Sequence, residues 1–160
     1  MARVAQINVS RGGVPKRPID RAMVRALGIE GDAVRNTKYH GGPRQALLLI
    51  MTESLEEMRA LGFDVYPGAL GENLTTEGLD RRELRIGQRY QIGETIVELT
   101  KVRVPCATLN PYGEGIQKAI YDRRVKAGDA SSPRWGMSGF YTSIVQEGLI
   151  LPGDAIERIS

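Results

Sequence analysis

Glycine and proline recur along the whole chain, nineteen and eight of them in 160 residues, and most of the segments between them are short. Glycine supplies turns with positive φ, and proline ends ladders and helices. A chain punctuated this way turns often, which predicts a β-rich architecture of many short strands. Val4–Ser10 alternates Ala5, Ile7 and Val9 with Gln6 and Asn8, the period of a half-buried strand, until "RGGVPKRP" breaks it. Gln45–Met51 is a continuous apolar run between "HGGPR" and Thr52, which suits a central strand buried on both faces. Gly93-Glu94 separates two runs rich in β-branched and aromatic residues and predicts a hairpin. Phe140–Val145 and Ala155–Ile159 complete the strand candidates.

Helices are few. Ser54 and Glu57 have capping-box spacing, and Gly62 follows Leu55, Met58 and Leu61, so a helix is predicted over about 55–61. Residues 115–126 carry Ile116, Ala119 and Ile120 on one side and read as a second helix. The turn-rich "GDASSPRWGMSG" beyond it reads as a mobile loop or a lid. Many short strands with a few short helices predict a mainly β fold, a closed or partly closed barrel that removes its edges. At 160 residues the chain has the length of one domain, 1–160.

Hydrophobic residues at 41% and charged residues at 26% fit a globular protein. The apolar run Ala46–Met51 is roughly a third of the ~18 residues that span a bilayer, and the N-terminus lacks a signal-peptide pattern. The expectation is a cytoplasmic protein with no membrane partner. A net charge of +3, with Lys and Arg scattered and only two Phe and one Trp, argues against nucleic acid and suits a small anionic ligand. A single cysteine forms no internal disulfide.

That cysteine, Cys106, ends "KVRVPC". Pro105 cannot donate to a ladder and holds Val104 extended, so the strand stops there and the thiol sits at its end, near Lys101 and Arg103. A thiol in that place is either a small core hydrophobe or a thiolate that attacks, carries sulfur or binds a soft metal. "KYHGGPRQA" sets Lys38, His40 and Arg44 around Gly41-Gly42, where backbone can approach an anion closely. It lacks the Walker spacing, and one Cys with one His is too few for a structural zinc site. "GALGENLTTEG" places Glu72 and Asn73 in a turn that either binds a ligand or satisfies only itself.

These clusters in this order, with "INVSRGGVPKRPI" and "GIEGD" before them and "GFYTSIVQEGLILPGDAI" after, resemble the MOSC domain, named for the C-terminal domain of molybdenum cofactor sulfurases. The resemblance implies a barrel-like β domain that binds the molybdenum–pterin cofactor or handles sulfur destined for it. On that basis Cys106 is the thiolate that ligates molybdenum or bears a persulfide. Lys38, His40 and Arg44 lie near the anionic end of the pterin, Gly41 and Gly42 form the loop beside it, and Glu72, Asn73 and Arg103 border the site. Where relatives have an aromatic-Arg-Val run, this chain has Tyr141-Thr142-Ser143. It also shows no cysteines for an iron–sulfur cluster and no aminotransferase-like part carrying the pyridoxal phosphate lysine of larger relatives, so it is expected to be a standalone member.

Two functions follow from the resemblance. One is a molybdenum-dependent reductase component acting on small N-hydroxylated compounds, with electrons from a separate reductase. The other is a sulfur-carrier module that takes persulfide onto Cys106 from a cysteine desulfurase. A binding protein with an inert, buried cysteine is a third reading, from the fold alone.

Overall fold

A computed structural model describes residues 1–33 and 41–160 of the chain. The strands are β1 (Arg3–Val9), β2 (Arg17–Ile19), β3 (Ala22–Arg25), β4 (Gly28–Ile29), β5 (Leu47–Met51), β6 (Leu74–Glu77), β7 (Arg89–Ile92), β8 (Thr95–Val102), β9 (Phe140–Gln146), β10 (Gly148–Ile150) and β11 (Ile156–Arg158). Among the described residues three short α-helices join them: α1 (Thr52–Ala60), α2 (Ile116–Ile120) and α3 (Arg123–Lys126). The fold is mainly β, as the punctuation predicts.

Eight strands form one mixed sheet in the order β11-β7-β8-β9-β5-β6-β1-β2, and β10-β3-β4 form a second. The closed barrel is corrected here. The large sheet ends on β2 and β11, and its two sides meet at an isolated bridge, Arg3 with Ala155, flanked by backbone bonds from Val4 N–H to the Asp154 carbonyl, from Gly153 N–H to the Val4 carbonyl and from Ile156 N–H to that of Ala2. β2 takes that edge of β1 only at Ile7–Val9, and residues 153–156 meet its Arg3 end through a single bridge and not through a ladder that would complete the circle.

β5 lies at the centre, buried at all five positions, paired antiparallel with β9 and parallel with β6. A strand covered on both faces has no polar alternation, and its sequence shows none. One apolar core, including Ile7, Leu49, Leu74, Leu99 and Phe140, fills the interior of the sheet; a second, including Leu55, Met58, Leu70, Leu109 and Ile120, sits under α1. The Gly93-Glu94 hairpin forms with Ile92 opposite Thr95.

Three local expectations fail for physical reasons. α1 begins at Thr52, directly off β5, so Ser54 lies inside the helix and caps nothing; its hydroxyl is buried without a partner among the described residues. The predicted helix over 115–126 breaks at Tyr121, which is extended, and Asp122 accepts from the Val125 N–H to start α3 afresh. The "GDASSPRWGMSG" loop is pinned: Trp135 is buried, donates from Nε1 to the Leu84 carbonyl at 2.8 Å and meets Phe140 edge-on. Among the described residues no helix is long and apolar enough to cross a membrane.

Candidate functional site

A cavity of about 960 Å³ opens where the end of β8 faces the β1–β2 loop, the β3–β4 turn and the segment entering β6. Its volume is in the range of pockets that hold small molecules and cofactors. Cys106 is in its wall, with Arg103, Lys101 and Tyr141.

The thiol is placed by the way β8 ends. Regular pairing stops at Val102, but Arg103 N–H still donates to the Gly139 carbonyl at 2.9 Å, and the Ser138 hydroxyl donates to the Arg103 carbonyl at 2.6 Å. Pro105 then offers no N–H, and Cys106 starts a 3-10 stretch over Ala107–Tyr112. The Cys106 side chain is half-buried, with Sγ 2.8 Å from Thr108 Oγ1. It borders the cavity, and so is not the sealed core residue of the third reading.

Arg103 is only 3% exposed, yet Nε and Nη1 have no hydrogen-bond partner among the described residues. Its charge is felt by Tyr141, whose phenol burial pushes up, Arg103 pulls down and Cys106 pushes up. Lys101 Nζ lies 5.6 Å from the centre of the same ring. The sequence thus brings Lys101, Arg103 and Cys106 to one cavity.

Glu72 and Asn73 part company. Asn73 lines the cavity, while Glu72 is fully buried behind the lining. Burial pushes the Glu72 carboxyl up, against the pull of the Gly68 and Glu72 N–H groups, the Thr75 hydroxyl and the charge of Arg103. The Thr75 hydroxyl donates to Oε2 at 2.9 Å, and Oε1 has no partner among the described residues. Asn73 donates through Nδ2 to Asp32 Oδ2 at 2.7 Å and accepts at Oδ1 from Leu48 N–H at 3.1 Å. Asp32 in turn takes Lys16 Nζ at 2.6 and 2.8 Å and the Ser10 N–H at 2.9 Å. Gly71, at φ 85°, allows the tight wall beside them, since a Cβ there would come within 2.9 Å of Val14 Cγ1.

Gly41 and Gly42 line the cavity; Arg44 is exposed in the following turn and is not in the wall, its carbonyl accepting from the Thr100 hydroxyl. Lys38 and His40 lie outside the described residues. Thr142 is fully buried in β9 opposite Leu47 and Leu99, away from the lining. Lys16, Asp32, Thr108 and Tyr141 are among the wall residues that the sequence does not mark as site residues. Lys16 and Asp32 sit in "VPKRP" and "GIEGD", which hold no local pattern that pairs a lysine and an aspartate across two loops.

Among the described residues no three His, Cys, Asp or Glu groups converge to hold a metal ion. Cys106 is one soft donor, so the wall fits a metal that arrives with ligands of its own, as a pterin dithiolate provides, and does not fit a protein-only metal centre. The fold and site together define a mainly β protein with a single thiol and a buried guanidinium in the wall of one pocket.

The chain belongs to the MOSC domain family, whose description matches residues 36–157, well over half of it. The uncharacterized protein YflK of Bacillus subtilis is 31% identical over 153 residues, covering 92% of this chain and 63% of that protein. Protein YiiM of Escherichia coli is 36% identical over 95 residues, 55% of this chain and 41% of YiiM; its crystal structure superposes on all of this chain and 70% of that one, with a TM-score of 0.70 at 24% identity. A protein of Gibberella moniliformis named a reductase is 28% identical over 139 residues, covering 84% of this chain and 23% of that protein. The chain therefore spans less than two thirds of the length of each of these sequence relatives.

Proposed function

We propose that the chain binds the molybdenum–pterin cofactor and serves as a component of a reductase acting on small N-hydroxylated compounds. The observation that carries this is the half-buried Cys106 thiol in the wall of a cavity of about 960 Å³, in a chain of the MOSC family. The distant relative named a reductase supports the reaction class.

The cofactor, when bound, supplies a metal that changes oxidation state. Cys106 would hold it through Sγ, a soft donor suited to that metal. Gly71 lets its segment pack against Val14, and the Asn73–Asp32–Lys16 network fixes the wall beside it, leaving neither Asp32 nor Lys16 free to swing into the cavity. Reducing an N-hydroxylated compound to its parent consumes two electrons and two protons and releases water. These 160 residues carry no flavin, haem or iron–sulfur signature, so the electrons would come from a reductase outside them.

The test is elemental analysis for molybdenum with pterin fluorescence on protein from a host that makes the cofactor, beside Cys106→Ser. About one molybdenum per chain in the wild type, lost in the variant, is the expected result. A persulfide on Cys106 without metal would instead assign the sulfur-carrier role, with a cysteine desulfurase as partner.

A further inference from the structure

We infer that Thr108 is the positioning residue of the Cys106 sulfur: its hydroxyl is hydrogen-bonded to Sγ in the cavity wall and stays with it as a donor once Sγ is bound to a metal. The inference rests on the reading of Cys106 as the ligating sulfur and adds the neighbour that sets how strongly that sulfur gives its electrons.

The contact is made by the backbone that follows β8. Pro105 ends the strand, and the Leu109 N–H donates to the Cys106 carbonyl at 3.1 Å, closing a turn with Ala107 and Thr108 at its centre. That turn brings Thr108 back beside Cys106, with Oγ1 2.8 Å from Sγ and both residues in the cavity wall. Thr108 is β-branched, so few χ1 rotamers are open to it and the hydroxyl does not wander far. A threonine near the start of a helical stretch commonly gives its hydroxyl to a backbone group. Here the 3-10 stretch that Cys106 begins has no side-chain cap, and Thr108 Oγ1 meets the sulfur instead. Among the described residues Sγ has no other hydrogen-bond partner.

While the sulfur carries its proton, either atom can be the donor. A metal-bound sulfur has only lone pairs to offer, so the hydroxyl is then the donor. A donor on a ligating sulfur draws electron density away from it, weakens its donation to the metal and raises the reduction potential; hydrogen bonding around sulfur is a general means of tuning such centres. A higher potential favours the step this site needs from outside, the arrival of electrons on the metal.

The chain has one cysteine, so the Sγ–H stretching band in its Raman spectrum reports this site alone. The test compares metal-free wild type, Thr108→Val and Thr108→Ser at mildly acidic pH. Thr108→Val keeps the branched shape and removes the hydroxyl, and it should move the band; Thr108→Ser keeps the hydroxyl and should return the band towards the wild-type frequency. Thr108 is exposed, so the three urea midpoints should agree, which ties a band shift to the sulfur and not to the fold. In cofactor-loaded protein, the molybdenum midpoint potential, read by redox titration of its EPR signal, should be lower in Thr108→Val than in wild type and in Thr108→Ser. One band frequency shared by all three chains overturns the inference, and so does a potential unchanged in Thr108→Val. Should the wild type retain no molybdenum, the reductase proposal fails and the Raman band alone decides this inference.

Discussion

The side-chain amide of Asn73 donates to the Asp32 carboxylate across 2.7 Å, joining the segment that enters β6 to the loop that follows β4. Because the same Asn73 also accepts from Leu48 N–H and exchanges backbone bonds with Leu48 and Asn8, one residue sets the spacing of three segments around the cavity. The Gly-Glu-Asn element is therefore a joint in the wall before it is anything else.

Asn73→Ala should be costly. It leaves the buried Leu48 N–H without its side-chain acceptor and removes a donor from Asp32. A loss of about 2–4 kcal/mol is expected, several hydrogen bonds failing together at a buried site. Urea unfolding measures it, and a loss below about 1 kcal/mol would mean that the joint is redundant.

Lys16 and Asp32 form an ion pair whose side chains are 8% and 12% exposed. Breaking one partner strands the other, so Lys16→Met and Asp32→Asn should each destabilise by about 2–3 kcal/mol, while the double variant should cost less than the sum. A double-mutant cycle reads the coupling directly; additive losses would show that the two residues act separately.

Much of this fold was legible in the sequence, and the limits have physical causes. The buried run at Gln45–Met51 and the Gly93-Glu94 hairpin show locally, because apolar continuity and turn chemistry are local signals. β2, β4 and β10 are two or three residues long and exist only through their partners, so no period could reveal them. The site divides the same way. Cys106 stands out by rarity and by the proline before it, whereas the Asp32–Lys16 and Asp32–Asn73 contacts join residues 16 and 41 apart in sequence. Ser54 shows how a local signal misleads: its capping-box spacing is intact, but β5 feeds straight into α1 and the cap position falls on Met51.

Ser54→Ala separates those two accounts. A true N-cap lost to alanine costs about 1 kcal/mol. A buried hydroxyl without a partner, inside a helix, should instead be improved by alanine, with a gain of roughly 0.5–1 kcal/mol. The sign of the change in urea midpoint decides between them.

Glu72 makes stability depend on pH in an unusual direction. Burial raises its carboxyl above the ordinary 4.5, so the folded chain holds this proton more tightly than the unfolded chain does. The resulting stability is complete below about pH 4.5 and declines as pH rises through the folded value, by about 1.4 kcal/mol per pH unit at most. Glu72→Gln removes that dependence, so the wild type should lose ground to the variant as pH rises from 4 to 7. Parallel unfolding curves across that range would show that Glu72 titrates alike in both states.

Cys106 should react in the folded protein. A half-buried sulfur on the cavity wall is open to a small alkylating reagent, where a core thiol waits for unfolding. Maleimide should label one thiol per chain under native conditions, slowly enough for a rate to be measured, and Leu27→Trp at the lip should slow it by crowding the entrance. Loading the molybdenum–pterin cofactor should protect Cys106 altogether, because the sulfur that reacts is the one proposed to hold the metal. Labelling that appears only in denaturant would return Cys106 to the inert core residue that its rarity alone permits, and cofactor loading that leaves Cys106 open to maleimide would move the metal elsewhere in the pocket.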